Sequence, residues 1–218
     1  CEFVGHPLIE MKEPSKIDIN QIIGKNKALI SVFAGSRKSE VRVLTPILLD
    51  FIKLMNEKYK DITYIFHSTN EQTKLIKSFI DASNLNNCEI VSDDKIKNHI
   101  LQKSIFAVAK SGTVSLEICN AMIPLIILYK MNFINFLIVK SLVKTKYANI
   151  INFAADKEII PELLQSNCNP KNIFNKVTTY LDDNQSMLNQ IDKCHKIINN
   201  FKTNKPSEIA ASVLTSSL

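Results

Sequence analysis

Glycine and arginine are both scarce. The chain has 218 residues with four Gly, and of its 27 Lys and Arg only Arg37 and Arg42 are Arg. Neither G-x-x-x-x-G-K-[ST] nor G-x-G-x-x-G occurs, which disfavours NTP hydrolysis and the usual dinucleotide binding. No G-x-S-x-G elbow and no H-E-x-x-H is present either, so two common hydrolase chemistries drop out. The five cysteines (Cys1, Cys88, Cys119, Cys168, Cys194) are scattered without a C-x-x-C pair. That argues against a metal site or a disulfide framework, and a reducing cytoplasm fits best. No apolar run reaches the roughly 18 residues a membrane-spanning helix needs. The opening, CEFVGHPLIEMKEP, carries charge and proline where a secretory leader has an apolar core. It starts on Cys1, already inside an apolar segment, which suggests a piece of a longer protein.

What is present is ample apolar material, 45% of residues, enough for a sizeable core. The formal charge is +6 and the pI about 9.0. A basic balance suits nucleic acid, anionic membrane or phosphorylated ligands. Here the lysines are spread among Asn and Ile, with no interleaved aromatic–basic stripe on which bases would stack. Nucleic acid is therefore not an expected partner.

Strand and helix patterns alternate. Strands are expected over 28–34, 62–67, 88–91, 105–109, 124–129 and 147–151. Helices are expected from Ser39 through Met55, with Pro46 as a discordant residue that could kink it, and over 75–80, 93–101 and 170–181. A further helix starts over 159–165, and two helices, about 187–201 and 206–214, close the chain. This alternation defines an α/β class: a Rossmann-like, mostly parallel sheet with helices on both faces. Residues 1–27, broken by Gly5-His6-Pro7 and Pro14, are expected to be a connector, and 28–218 the domain proper. The stretch 132–146 is an amphipathic helix candidate with Lys140, Lys144 and Lys146 on one side. It suits a core-facing helix, or one lying on an anionic membrane surface.

The organising stretch is FAVAKSGTVSLE, residues 106–117. A buried strand ends at Ser111-Gly112-Thr113, and a helical pattern begins. In open α/β sheets ligands bind at that carboxyl edge. Gly112 lets a ligand approach the backbone, and the following helix turns free N–H groups towards an anion. Glu117, one turn on, can accept from two neighbouring hydroxyls, as on a ribose. The same residues also fit a routine strand–turn–helix with a solvated Glu. At the first strand's end stands Gly35-Ser36-Arg37. In a lysine-using chain an Arg marks a place for a bidentate fork, so G-S-R suits a diphosphate; a tight turn with a surface Arg is the plainer reading. His67, His99 and His195 are expected to be structural or exposed.

Five pieces occur in one order: FVGHPL at 3–8, GSRKSEV at 35–41, SGTVSLE at 111–117, LVKTKY at 142–147 and PELLQ at 161–165. Together they resemble the lipid-A-disaccharide synthase family, glycosyltransferases of the GT-B fold, over nearly the whole chain. Three departures stand out: Ala34 where the family has Pro before G-S-R, Ile151-Asn152 where it has Pro-Asn, and Tyr129-Lys130 where it has Tyr-Arg. The family's N-terminal half, which holds the acceptor lipid and an acidic catalytic residue, has no counterpart here. The catalytic residues are therefore expected outside this sequence.

The resemblance implies the C-terminal, donor-binding half of such an enzyme. Its reaction transfers 2,3-diacylglucosamine from UDP to 2,3-diacylglucosamine 1-phosphate (lipid X), giving a β-1,6 disaccharide phosphate and UDP, with no metal and no cofactor. It further implies Gly35, Ser36, Arg37, Ser111, Gly112 and Thr113 around the diphosphate and Glu117 on the ribose. Asn152, Glu162 and Gln165 are implied nearer the donor. Work at the cytoplasmic face of the inner membrane, and a homo-oligomer, go with this reading. So does looser packing of the two closing helices, because in GT-B enzymes the chain's end often crosses to the other domain. Two rivals are a non-catalytic UDP-sugar-binding half that pairs with a separate acceptor chain, and a UDP-N-acetylglucosamine transferase or epimerase.

Overall fold

The computed structural model describes residues 28–131, 146–201 and 206–216. The expected connector over 1–27 and most of the lysine-bearing stretch at 132–146 lie outside the described residues.

Four of the six described strands are buried along nearly their whole length, so their alternate side chains need cover above and below the sheet. The strands are β1 (Ala28–Phe33), β2 (Ile62–His67), β3 (Cys88–Val91), β4 (Ser104–Lys110), β5 (Leu125–Tyr129) and β6 (Glu162–Leu164). They form one sheet in the order β3-β2-β1-β4-β5-β6, every pair parallel. On one face Ile30, Val32, Phe106, Val108, Ile126 and Leu128 meet helices α1 (Lys38–Lys58), α2 (Asn70–Ser83) and α6 (Pro170–Asp182). On the other, Ala107, Ala109, Leu125 and Ile127 meet α4 (Val114–Asn120), α5 (Ile150–Ala155) and α7 (Asn184–Phe201). Helix α3 (Asp94–Lys103) covers the β1–β2–β3 side of that second face through Ile100. Helix α8 (Pro206–Ser216) ends the described chain.

Helix α1 runs through Pro46 for 21 residues, held by a continuous buried stripe from Val41 to Met55. Three expectations need correction. Residues 147–151 are not a strand: Asn149 caps α5, its side chain accepting from Ile151 N at 2.9 Å. Residues 162–164 are not a helix start but β6, paired with β5 from Ile127↔Glu162 to Tyr129↔Leu164. Both are short apolar runs whose period cannot separate strand from helix. The closing helices also differ from one another. Helix α7 is firmly in the core through Cys194 and Ile198, while the side chains described in α8 are half-buried or exposed.

Gln190 of α7 fastens that helix to the sheet. Its Oε1 accepts from Leu125 N at 2.7 Å, and its Nε2 donates to Leu125 O at 3.0 Å, both buried. Gln190→Leu orphans two backbone groups at the start of β5, at about 1–3 kcal/mol each. The urea midpoint should fall accordingly. An unchanged midpoint would show that α7 does not depend on this contact.

Candidate functional site

The strand order reverses between β1 and β4, so the loops that follow these two strands open away from each other's helices and leave a crevice. Register Phe33↔Ala109 brings both strand ends to the same level. Gly35 and Gly112 accordingly stand at one edge, as the sequence led us to expect. Between their loops lies an open cleft of about 240 Å³, lined by Gly35, Ser36, Ser111, Gly112, Thr113 and Glu117 among others.

The first loop is organised by Glu40, a residue the motif reading passed over. Its Oε2 accepts from Ser36 N at 3.2 Å and Arg37 N at 3.3 Å, capping α1. Gly35 is what allows this. Its φ is +110°, and a Cβ there would stand 2.5 Å from Glu40 Oε2 and 2.7 Å from Glu40 Cβ. Glu40 Oε1 lies 2.9 Å from Lys110 Nζ, so the pair ties the β1 loop to the end of β4. Burial alone would raise the Glu40 carboxyl. The hydrogen bond and charge of Lys110, with the Arg37 N–H, outweigh it and hold the group below the ordinary carboxylate value. Arg37 is placed differently from the rest of its motif. Its side chain is 79% exposed at the rim, 3.6 Å from Glu40 and outside the cleft lining.

The second loop is pinned from behind. Ser111 N donates to Leu128 O at 2.9 Å, and Ser111 Oγ donates to Ala148 O at 2.7 Å. Ser115 Oγ donates to Gly112 O at 2.8 Å, closing the first turn of α4. A Cβ at Gly112 would meet nothing within 4 Å, so the loop faces open space. Glu117 lines the cleft with Oε2 2.8 Å from Lys97 Nζ of α3.

An aromatic wall closes the β2 side. The Phe33 and His67 rings stack at 4.3 Å and 6°, and Lys97 Nζ lies 5.9 Å from the Phe33 centroid. Ser104 Oγ donates to Ile100 O, so Ser31 Oγ donates to Ser104 and accepts from His67 Nε2 at 2.9 Å. Burial, with the Lys97 charge nearby, pushes His67 down to about 3. The imidazole is therefore neutral and structural, although it borders the cleft.

Asn152, Glu162 and Gln165 do not line the cleft. Asn152 is fully buried, its Oδ1 accepting from Ile159 N and Ile160 N, its Nδ2 donating to Ile160 O and Glu162 Oε1. Glu162 accepts from Ala148 N at 2.8 Å and Asn149 N at 3.0 Å. Gln165 Oε1 accepts from Met131 N at 3.2 Å. Glu162 thus holds the loop at 146–149 and Asn152 holds Glu162, while Gln165 fixes Met131 just beyond β5; the Ala148 carbonyl in turn positions Ser111. Sequence reading missed Glu40, Lys97 and Lys110. The carboxylate three residues after Arg37 carries a capping signature that could have revealed Glu40, and Lys110 directly precedes the Ser111 motif. Lys97 comes from a separate βα unit and gives no local signal.

The sheet order and the cleft at its switch point define a doubly wound α/β domain of the kind found in GT-B glycosyltransferases. The C-terminal domain of a glycosyl transferase group 1 family protein from Francisella tularensis shares the fold. It has a TM-score of 0.53 at 13% identity, covering 79% of this chain and 85% of that one. An S. aureus MnaA–UDP co-structure has a TM-score of 0.60 at 13% identity, over 93% of this chain and 54% of that one. The chain itself belongs to the lipid-A-disaccharide synthetase family, whose model matches residues 1–214. It is 36% identical over 221 residues to the lipid-A-disaccharide synthase of Rickettsia prowazekii (strain Madrid E), covering 98% of this chain and 57% of that protein. The enzyme of the same name from Psychromonas ingrahamii is 34% identical over 205 residues, 91% of this chain and 53% of that protein. The chain thus spans a little over half the length of these relatives.

The two glycines should respond differently to a methyl group. Gly35→Ala forces a strained φ and displaces Glu40, and should cost about 1–3 kcal/mol of unfolding free energy. Gly112→Ala should stay within about 0.5 kcal/mol of wild type. Chemical denaturation of both variants checks this, and equal losses would contradict the Glu40 packing.

Proposed function

We propose that this chain supplies the UDP-sugar site of a lipid-A-disaccharide synthase. In that reaction the bond from the sugar's anomeric carbon to UDP breaks, and a bond to a hydroxyl of lipid X forms. The hydroxyl proton leaves to a base, and UDP departs with the electron pair. The donor is UDP-2,3-diacylglucosamine, the acceptor is lipid X, and the product is the β-1,6 disaccharide phosphate. One observation carries the reading: the G-S-R loop and the S-G-T loop open side by side on one cleft, at a topological switch point, in a member of this family. The names of the relatives support the chemistry, and the bound UDP of one fold neighbour supports the ligand class.

In this proposal Gly35, Gly112 and Thr113 face the diphosphate with backbone N–H groups and Ser36 and Thr113 with hydroxyls, while Ser111, whose N–H and hydroxyl are engaged by Leu128 and Ala148, holds the second loop in place. Arg37 reaches in from the rim, where its guanidinium fork suits two phosphate oxygens. Glu117 takes the ribose hydroxyls. Glu162, held by Asn152, acts on the donor at one remove, by holding the 146–149 loop and with it Ser111, and Gln165 does so by fixing Met131 just beyond β5. Charge that develops on the departing UDP is met by preorganised donors, the kind of stabilisation that most lowers such barriers. Among the described residues no helix is long and apolar enough to cross a membrane. The acylated substrates place the work at a lipid surface, the cytoplasmic face of the inner membrane.

Titration of UDP and pyrophosphate separates the two halves of the site. Glu117→Gln keeps the shape but loses the charge that strengthens both ribose contacts, and should weaken UDP about tenfold with pyrophosphate unchanged. Arg37→Lys should weaken both ligands by a similar factor. Equal losses of UDP and pyrophosphate in Glu117→Gln would rule out the ribose role. Normal UDP affinity in Arg37→Lys would leave Arg37 a surface residue.

A further inference from the structure

Lys110 falls within the 106–117 stretch but directly before its S-G-T motif, which gives it no role, yet it lines the cleft. It ends β4, immediately before Ser111, and its ammonium reaches across to the β1 loop. There it lies 2.9 Å from Glu40 Oε1, and the other oxygen of that carboxylate accepts from Ser36 N and Arg37 N. Its reverse side is 5.6 Å from the Tyr129 ring centroid. The Lys110 side chain is 20% exposed and lines the cleft, whereas Arg37 is 79% exposed and does not. Lys97, the other cation of the lining, is paired with Glu117 and leans over Phe33, on the ribose side of the proposed site.

Resting on the UDP-sugar reading above, we propose that Lys110 is a second cation for the diphosphate, within the cleft where Arg37 stands at the rim, changing partner from Glu40 to phosphate when the ligand enters. The physical ground is that an ammonium is a compact charge on a flexible stem, with three donors and no required bidentate geometry. It can turn from a carboxylate to a phosphate oxygen without moving the backbone. In the free protein Glu40 and the Tyr129 face keep the ammonium poised at the point where the two loops meet. Glu40 is here a positioning residue, and the capping bonds of its second oxygen keep it in place after Lys110 turns.

The test uses the full chain with UDP and pyrophosphate as probes, and melts to verify folding. Lys110→Met keeps the stem and loses the charge. It should weaken both probes by a like factor, about ten- to a hundredfold. Lys110→Arg keeps the charge and should bind both much as the wild type does. If Lys110→Met binds UDP like the wild type, Lys110 is only a counter-ion of Glu40 and the proposal falls. It falls too if UDP weakens and pyrophosphate does not, or if Lys110→Arg loses as much as Lys110→Met. A wild-type chain that binds neither probe would overturn the UDP-sugar reading itself, and this proposal with it.

Discussion

Parallel pairing of β1 with β4 is the constraint from which the ligand edge follows. Two strands separated by two βα units become neighbours, and their following helices depart to opposite faces of the sheet. The carboxyl ends of β1 and β4 therefore cannot be covered by either helix, and a crevice results. The apolar core enforces the arrangement. Val32 and Val108 turn to one face, and Ala107 and Ala109 to the other, so a one-residue slip would carry each set to the wrong layer. The Glu40–Lys110 pair is the polar counterpart of that pairing, joining the two loops beyond the last ladder bonds.

Electrostatics at the cleft is not what the overall charge suggests. The chain carries +6, but Glu40, Asp94 and Glu117 line the cleft against Lys97 and Lys110. Without ligand both ammonium groups are held in internal ion pairs, Lys110 with Glu40 and Lys97 with Glu117, and the lining is not a pool of positive charge. An anion entering it gains from donors already held in place and, in the proposed exchange, from Lys110 turning from Glu40 to the ligand. That arrangement favours selectivity over bulk attraction: the ammonium groups are compensated until a group of the right shape competes for them. It also explains why the spread of lysines along the sequence is no guide to the site.

Much of this was legible in the chain. The first five strands, the α/β alternation and the two loop motifs at 35–37 and 111–113 follow from short apolar runs broken by polar residues and glycine. Two segments, 147–151 and 159–165, were misjudged because three to five apolar residues support either period, and the outcome rests on Asn149 as a cap and on pairing with β5. Asn152 and Glu162 looked like ligand-facing polar residues. Their placement inside a hydrogen-bonded loop depends on Ile159 and Ile160 folding back against them, which no local pattern announces. Lys97 meets Glu117 only because α3 crosses to the second face. Contacts made between βα units, not within them, are what the sequence withheld.

The central claim is that the two loops form one nucleotide site. Hydrogen exchange of the full chain, with and without UDP, tests it most directly. The account predicts added protection in both segments, residues 35–38 and 111–116, rising together with UDP occupancy. Protection confined to one segment, or appearing elsewhere while both stay unchanged, would contradict it.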